Sequence, residues 1–251
     1  MTSTLVQVTP RLGIAMAVLT LVAAAAAALG RIGEERRIAV AAVRAAVQLA
    51  AVSFVIAAIV DSRAFTALFV LFMYAVAART SSRRMTRNRT GWWAALPIAV
   101  GSLPVVLGLL VSRLLPTSGL AVIPVTGILI GGAMTATSLA GRRAMDELTG
   151  RRGEVEAALS LGFSDRDAAL EICRPSASQA LVPALDQTRT VGLVTLPGAF
   201  VGMLLGGATP VAAGAVQLFV LVALLAVETV AVVLTVELVA RGRIARPGPP
   251  R

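Results

Sequence analysis

The chain has 251 residues, of which 57% are hydrophobic and 14% are charged, and its formal net charge is +10. A soluble protein of this length could not bury so much apolar surface, whereas a protein that crosses a membrane several times leaves it in contact with lipid. Every basic residue is Arg, and His is absent, which excludes a Ser-His-Asp triad, an HExxH zinc site and a P-loop lysine in this chain.

Seven apolar segments, separated by loops that contain arginine, predict seven transmembrane helices. They cover approximately residues 12–30, 38–60, 64–78, 90–112, 118–140, 190–206 and 211–240. At about 1.5 Å of rise per residue, most of them can cross a hydrocarbon core of about 30 Å. The third segment is short, so six crossings with a re-entrant third segment is the alternative count. The sequence therefore predicts an all-α, polytopic membrane helix bundle in a single transmembrane domain, residues 1–251.

The two ends of the chain are predicted to differ: the first is a membrane anchor and the last is disordered. The first apolar segment ends in an alanine run that resembles a signal-peptide cleavage region. However, its apolar stretch is longer than the usual roughly 7–15 residues and its n-region is weak, so we predict a retained membrane anchor. The segment at about residues 242–251 is rich in Arg, Pro and Gly, which predicts a disordered tail.

The arginines are distributed unequally between the two sides of this seven-helix arrangement. Nineteen of the 23 lie in loops on one side, whereas the other side holds only Arg11, Arg63 and Arg113. By the positive-inside rule, the arginine-rich side is cytoplasmic. We therefore expect a protein of the inner (plasma) membrane with its N-terminus outside and its C-terminus in the cytoplasm.

The cytoplasmic loop at about residues 141–189 differs from the others because its first part, residues 141–175, balances six Arg with seven acidic residues. Gly162 is typical of a helix end, and Ser164 with Asp167 three residues later is a variant of the capping box. The pattern predicts two short helices, the second ending before Pro175. The residues alone leave two interpretations open: an element that docks a cytoplasmic partner, or a loop that packs on its own bundle.

The same region resembles the EAA loop of ABC-transporter permeases. Glu156-Ala157-Ala158, Gly162, Ile172 and Pro175 keep the spacing of that motif, with Arg174 where the pattern has Leu. The resemblance implies that residues 164–174 form a coupling helix that lies in a cleft of a separate ATPase subunit. The implied docking residues are Glu156, Ala157, Ala158, Gly162, Ser164, Asp165, Asp167, Ile172 and Arg174.

A second resemblance covers most of the chain and is to the FetB-type iron-export permeases, which are related to the plant aluminium-sensitivity and STAR membrane subunits. It is carried by "RAAVQL" (44–49), "IPVTGILIGGAM" (123–134), "EVEAALSLG" (154–162), "LVPALDQTRTVGLVTLPG" (181–198) and "GATP" (207–210). The resemblance implies a homodimeric permease without enzymatic activity or a cofactor of its own, while the partner ATPase uses ATP and Mg. It also implies export of iron or a related metal or small solute. Gly132 and Met203 depart from the family pattern, which leaves the substrate open.

Polar residues within the apolar segments are candidates for the translocation path, because such residues are costly in a membrane. Arg44 and Gln48 share a helix face, and Glu228 is a candidate partner for Arg44. In the alternative interpretation, Arg44 snorkels to the interface and Glu228 has a structural role. Pro197-Gly198 predicts a broken helix, which either lines a cavity or is a packing kink. The full set of candidates is Arg44, Gln48, Thr135, Thr195, Pro197, Met203 and Glu228.

Two further classes of function stay open at this point. An ATP-independent secondary transporter or channel is consistent with the intramembrane polar residues, although it gives the balanced loop no role. A membrane scaffold that binds partners without moving a solute is the third alternative. No cluster of metal ligands is visible in the sequence, so a metal substrate depends on the family resemblance alone.

Overall fold

The computed structural model describes residues 9–246, and this part of the chain is almost entirely helical, with no β-strand. Two short 3-10 turns, Arg89–Ala94 and Gln179–Leu181, lie between the α-helices. The ten α-helices of the described residues are α1 (Pro10–Leu29), α2 (Glu35–Ile59), α3 (Arg63–Met85), α4 (Ala95–Val111), α5 (Gly119–Gly150), α6 (Arg152–Ser160), α7 (Asp165–Ser178), α8 (Val182–Thr190), α9 (Gly198–Leu205) and α10 (Pro210–Ala240).

Six of the described helices are long and apolar enough to cross a membrane: α1, α2, α3, α4 with the turn before it, α5 and α10. The third apolar segment is among them, because α3 continues to Met85 and has 23 residues. At about 1.5 Å per residue this helix is about 35 Å long, which is enough to cross the hydrocarbon core and favours a full crossing over a re-entrant segment. The apolar run ends at about residue 78, but α3 continues through the polar residues that follow it and so becomes longer than the run itself.

The sixth apolar segment, 190–206, is interrupted, and together with α8 before it we call it the discontinuous segment. Its only helix, α9, has eight residues and a length of about 12 Å, which cannot span a bilayer. However, the chain from the 3-10 turn Gln179–Leu181 to α9 follows α10 in the opposite direction: Leu181 lines a groove with Val236, and Phe200 lies beside Gly214. These contacts are spread over 22 residues of α10, or about 33 Å. The seven predicted segments are therefore six helices long enough to cross a membrane and one segment that is interrupted.

The contacts divide the chain into two compact units, Met1–Ile59 and Val60–Arg251, where the sequence analysis predicted a single domain. In the first unit, α1 and α2 form a helical hairpin, and Gly33 in the connecting turn has φ +75°. No residue of α2 is buried. This exposure is consistent with apolar helices whose solvent is lipid.

In the second unit, α5 and α10 form the centre, and α3, α4 and α7 pack around them. The buried face of α5 is dominated by small residues, including Ala133, Ala136, Ala140 and Ala144, all at most 1% exposed. Small side chains allow helix backbones to approach closely, and the van der Waals contacts formed in this way help to hold helices together in lipid. A Cβ at Gly101 of α4 would lie 2.8 Å from a backbone oxygen of α10, so this contact also requires glycine.

The predicted disordered tail at 242–251 begins too early. Ile244 is 1% exposed, and the Thr90 hydroxyl donates a hydrogen bond of 3.0 Å to the Ala245 carbonyl. Arg246 forms an ion pair of 2.5 Å with Asp146, and the Arg243 guanidinium lies 5.6 Å from the ring centre of Trp93. Residues 242–246 are thus fixed on the turn before α4 and on α5, whereas 247–251 lie outside the described residues.

Candidate functional site

The first candidate site is the polar hairpin, which we define as α6, α7 and residues 161–164 between them. The turn at Gly162 is a Schellman motif: the Phe163 amide donates to the Ala158 carbonyl (3.2 Å), and the Gly162 amide donates to the Leu159 carbonyl (3.0 Å). Gly162 has φ +91°, a conformation that only glycine adopts without strain. The prediction that this glycine ends the first helix is confirmed.

The predicted N-cap of the second helix is also confirmed. Ser164 Oγ accepts a hydrogen bond of 3.1 Å from the Asp167 amide, and it donates one of 2.7 Å to the Asp167 carboxylate. The helix does not end before Pro175, however, because α7 continues to Ser178. Proline removes one backbone hydrogen bond within a helix. Pro175 lies on the exposed side of α7, where water can satisfy the carbonyl that is left free.

The α6 side of the polar hairpin is open to solvent, and none of its residues is buried. Arg152 pairs with Glu156 along the helix at 3.0 Å. Arg151 pairs with Glu154, and this hydrogen bond lowers the pKa of the Glu154 carboxyl. At the turn, Leu161 is 80% exposed and Phe163 is 47% exposed. The hairpin therefore presents an apolar tip between charged flanks, which is the pattern of a protein-binding surface.

In contrast, the apolar face of α7 is buried in the core of the second unit. Ala169, Leu170, Cys173 and Ala177 belong to the same core cluster as the buried faces of α5 and α10. Ile172, which the sequence analysis assigned to the docking surface, is only 7% exposed. That assignment is corrected, because its side chain is covered by the protein itself.

The remaining predicted docking residues are accessible to different degrees. Ala158 is half-buried. The others lie on the exposed surface: Glu156, Ala157, Gly162, Ser164, Asp165, Asp167 and Arg174. The docking role itself stays a prediction.

An ion-pair cluster that the sequence analysis missed joins the start of α7 to the end of α10. Arg166 Nε and Nη2 donate to the two carboxylate oxygens of Glu237 at 2.6 and 2.8 Å, and Arg241 Nε donates to the same carboxylate at 2.5 Å. The hydrogen bond to Glu237 raises the pKa of Arg166. A bidentate pair of this kind fixes orientation as well as distance. The two partners are 71 positions apart, so no local pattern could have identified the contact.

The second candidate site is the break in the discontinuous segment, at the non-helical residues 191–197. The Thr190 carbonyl accepts the Val194 amide at 2.9 Å, and the Gly192 amide donates to the Thr195 carbonyl at 2.9 Å. Gly192 has φ +81°, which permits this tight turn. α9 then begins at Gly198, directly after Pro197, without a side-chain cap. The predicted interruption at Pro197-Gly198 is confirmed.

Beside this break lies a cavity of about 190 Å³, which we call the break cavity. Gln217 of α10 lines it and is only 5% exposed, and its Oε1 is buried without a hydrogen-bond partner among the described residues. This residue is not among the path candidates predicted from the sequence. A single glutamine inside a 31-residue apolar helix was the available signal, because an intramembrane polar group requires an explanation. The residues that line the cavity are Val191, Gly192, Leu196, Pro197, Phe200, Gly214, Gln217, Leu218 and Leu221.

The predicted path residues are not all brought to one place. Pro197 lines the break cavity, and Thr195 belongs to the same turn. Met203 and the exposed Thr135 do not line it. Glu228 lies against α5, where a Cβ on Gly132 would be 2.7 Å from its carboxylate.

Arg44 and Gln48 are exposed on α2 of the first unit, where they line one groove with Arg36 and Arg37. Their role in transport stays a prediction. So does the proposed pairing of Arg44 with Glu228.

Comparison with known proteins gives consistent matches over most of the chain. The chain is 36% identical over 225 residues to the UPF0014 membrane protein STAR2 of Oryza sativa, covering 87% of this chain and 79% of that protein. It is 33% identical over 190 residues to the protein ALUMINUM SENSITIVE 3 of Arabidopsis thaliana, covering 74% and 70%. It is 30% identical over 201 residues to the probable iron export permease protein FetB of Escherichia coli, covering 79% and 78%.

No solved structure matches this chain. The model of the uncharacterised protein family UPF0014 matches residues 11–244, which include every described helix except the first residue of α1. With its apolar helices and these relatives, the chain is a multi-pass membrane protein. It belongs to the UPF0014 family.

Proposed function

We propose that this chain is the membrane subunit of an ABC transporter and that a separate cytoplasmic ATPase docks on the polar hairpin. The observation that carries the proposal is the two-sided construction of this hairpin. Its tip and α6 are exposed, with Leu161 and Phe163 uncovered, whereas the inner face of α7 is part of the same core as α5 and α10. An element of this kind can receive a partner on one side and pass the movement to membrane helices on the other.

Two kinds of contact support the transmission of movement from the hairpin to the bundle. Apolar packing holds α7 against α5 and α10. The Arg166–Glu237 pair adds an oriented link between the first turn of α7 and the last turns of α10. Because α10 also contacts α8 and α9, a displacement of α7 would reach the discontinuous segment through a single helix. ATP binding and hydrolysis with Mg in the partner would then switch the path between two openings.

The substrate class and the assembly are part of the same proposal. One relative is named a probable iron export permease, which supports export of iron or a related metal or small solute. We propose a homodimer, because the non-helical backbone at residues 191–197 requires cover by protein or a water-filled path within the membrane. The distribution of arginine supports an inner-membrane orientation with the N-terminus outside and the hairpin in the cytoplasm. The chain itself would bind no cofactor and catalyse no reaction.

The test is co-purification of the full chain with an ABC ATPase encoded next to it, followed by measurement of ATPase activity and solute efflux in proteoliposomes. Phe163→Ser removes an exposed apolar side chain at the hairpin tip. Leu114→Ser is the matched control, because Leu114 is 71% exposed in the turn between α4 and α5. We expect the first variant to lose the complex and the second to retain it. Equal complex formation and equal transport-linked ATPase activity in both variants would refute the docking role.

An ATP-independent secondary transporter is the second candidate, and the discontinuous segment favours it. Broken helices at membrane depth form the solute sites of many such transporters. Solute flux driven by a proton gradient or by voltage, through the purified chain without any ATPase, would support this alternative over the first.

A further inference from the structure

We propose that a groove between α7 and α10 binds one anionic phospholipid, with the lipid phosphate at Arg174 and one acyl chain along the valines of α10. The binding itself does not depend on the proposed ATPase partner, whereas its consequence for the movement of α7 rests on the proposed function. Three observations support the proposal: the position of the groove at the membrane boundary, the mixture of side chains that line it, and an unpaired positive charge.

The groove, which we call the α7–α10 groove, has a volume of about 200 Å³. One wall consists of Leu170, Arg174 and Ser178 of α7 together with Leu181, and the other consists of five side chains from residues 229–237 of α10. Cavities that enclose a whole drug-sized ligand measure about 300–1,000 Å³. The groove is smaller, so it accommodates one part of a larger molecule, such as an acyl chain, whose remainder stays in the bilayer.

The groove lies where α10 leaves the membrane. α10 has 31 residues and a length of about 46 Å, which exceeds a hydrocarbon core of about 30 Å. Its charged end, with Glu237 and Arg241 joined at 2.5 Å, therefore extends into the headgroup region. From Glu237 the wall continues through three valines to Thr229, about 12 Å along the helix axis toward the middle of the membrane. One of these valines, Val233, is 60% exposed, so the groove is open to a molecule from the bilayer.

Arg174 supplies a positive charge without an acidic partner at this groove. Glu237 is held by Arg166 at 2.6 Å and by Arg241 at 2.5 Å. Arg166 also contacts Asp167 at 2.8 Å, so these two acids and two arginines balance one another. Arg174 is exposed and takes part in none of the ion pairs formed within residues 9–246. One positive charge is therefore in excess where the groove meets the headgroup region.

A phospholipid matches both the charge and the apolar lining. Its phosphodiester carries a negative charge, and a guanidinium binds phosphate oxygens through paired N–H donors. Glu171, the acid that precedes Arg174 on α7, does not line the groove and forms no ion pair in the described part of the chain. A soluble anion would use Arg174 but leave Val233 uncovered, whereas an acyl chain removes this apolar surface from water. The proposal assigns Arg174, one of the predicted docking residues, to lipid and not to the ATPase.

A lipid in the α7–α10 groove contacts both helices that form it. It therefore adds to the connection that the Arg166–Glu237 pair already makes between them. In the proposed function, α7 passes movement to α10, so an anionic lipid at this position strengthens that coupling.

The experiment measures binding of phosphatidylglycerol and of phosphatidylcholine to the full chain by native mass spectrometry, which reports the number of bound lipids and the oligomeric state together. Arg174→Gln removes the charge, and Val233→Trp fills the groove while the charge stays. Arg142→Gln is the matched control, because Arg142 is also exposed and forms no ion pair among the described residues, but lies on α5 and does not line the groove.

We expect the native chain to bind phosphatidylglycerol more tightly than phosphatidylcholine. The Kd for phosphatidylglycerol should rise about fivefold to tenfold in Arg174→Gln, because a charge-assisted contact with the phosphate is lost. It should also rise in Val233→Trp, because the indole occupies the place of the acyl chain. Arg142→Gln should bind this lipid as the native chain does.

Four outcomes would overturn the proposal. Equal binding of the two lipids by the native chain, or equal phosphatidylglycerol binding by Arg174→Gln and Arg142→Gln, would exclude the phosphate contact. Unchanged lipid binding by Val233→Trp would exclude the acyl chain, and loss of a dimer in that variant without loss of lipid would show that a second copy of the chain covers the groove. Displacement of the lipid by an equal concentration of glycerol phosphate, which lacks acyl chains, would assign Arg174 to a soluble anion. None of these measurements involves the ATPase, so the hairpin test of the proposed function is unaffected by their result.

Discussion

Replacement of Gly162 by alanine tests the polar hairpin most directly. Gly162 has φ +91°, and a Cβ there would have no other atom within 4 Å, so the effect is conformational and not steric. An L-residue in the left-handed region costs about 1–2 kcal/mol. This cost corresponds to a factor of about 5–30 in an equilibrium constant. Because no residue of α6 is buried, little packing compensates for the strain. The equilibrium constant between the native turn and its alternatives should therefore fall by about this factor.

Two measurements check this expectation, and Gly153→Ala provides the control. Gly153 lies within α6, and a Cβ there also has open space, so alanine should stabilise the helix by about 1 kcal/mol. Amide hydrogen exchange of α6 should be faster in Gly162→Ala and slower in Gly153→Ala. The Kd for the partner ATPase should rise only in Gly162→Ala. If both variants exchange and bind alike, the turn does not determine the shape of the docking surface.

Three further predictions concern packing and reactivity. Ile172→Ala should lower the free energy of unfolding by about 2–5 kcal/mol, because the side chain is buried. Glu171→Ala, on the exposed side of the same helix, should change this free energy by no more than about 0.5 kcal/mol. Thermal unfolding in detergent checks both variants, and a small effect of Ile172→Ala would mean that α7 is not part of the core. Gly101→Ala should destabilise the folded chain by about 1–3 kcal/mol, because the new Cβ would lie 2.8 Å from a carbonyl oxygen of α10. Gly108→Ala should not destabilise the chain, because a Cβ there meets no atom of another element within 4 Å. Equal melting temperatures of the two variants would contradict the close contact at Gly101. Burial covers the sulfur of Cys173 and raises the pKa of its thiol. A hydrophilic maleimide at pH 8 should therefore label the native chain about a hundredfold or more slowly than the unfolded chain. Rapid labelling of the native chain would show that α7 detaches from α5.

Local signals in the sequence predicted the local features of the structure. Long apolar runs predicted the crossings, Gly162 and Ser164 predicted the turn of the hairpin, and Pro197-Gly198 predicted the break. Each of these depends on backbone geometry that neighbouring residues determine.

Features that depend on distant partners were not predictable in the same way. The pattern of α7 identified an apolar face but not what covers it, so Ile172 was assigned to the surface although α5 and α10 bury the apolar face to which it belongs. The Arg166–Glu237 pair and the cavity around Gln217 join residues that are far apart in the chain. Composition likewise predicted disorder for 242–246, where the buried side chain of Ile244 and the contacts of Ala245 and Arg246 with distant residues fix the segment.

The position of residues 242–246 has a consequence for biosynthesis. This segment follows the last apolar segment, so it leaves the ribosome only after all the crossings have been translated. Until then the Thr90 hydroxyl and the Asp146 carboxylate lack the partners that they have in the folded protein. A reporter fused before Ile244 would keep these contacts from forming, whereas one fused beyond Arg246 would leave them intact.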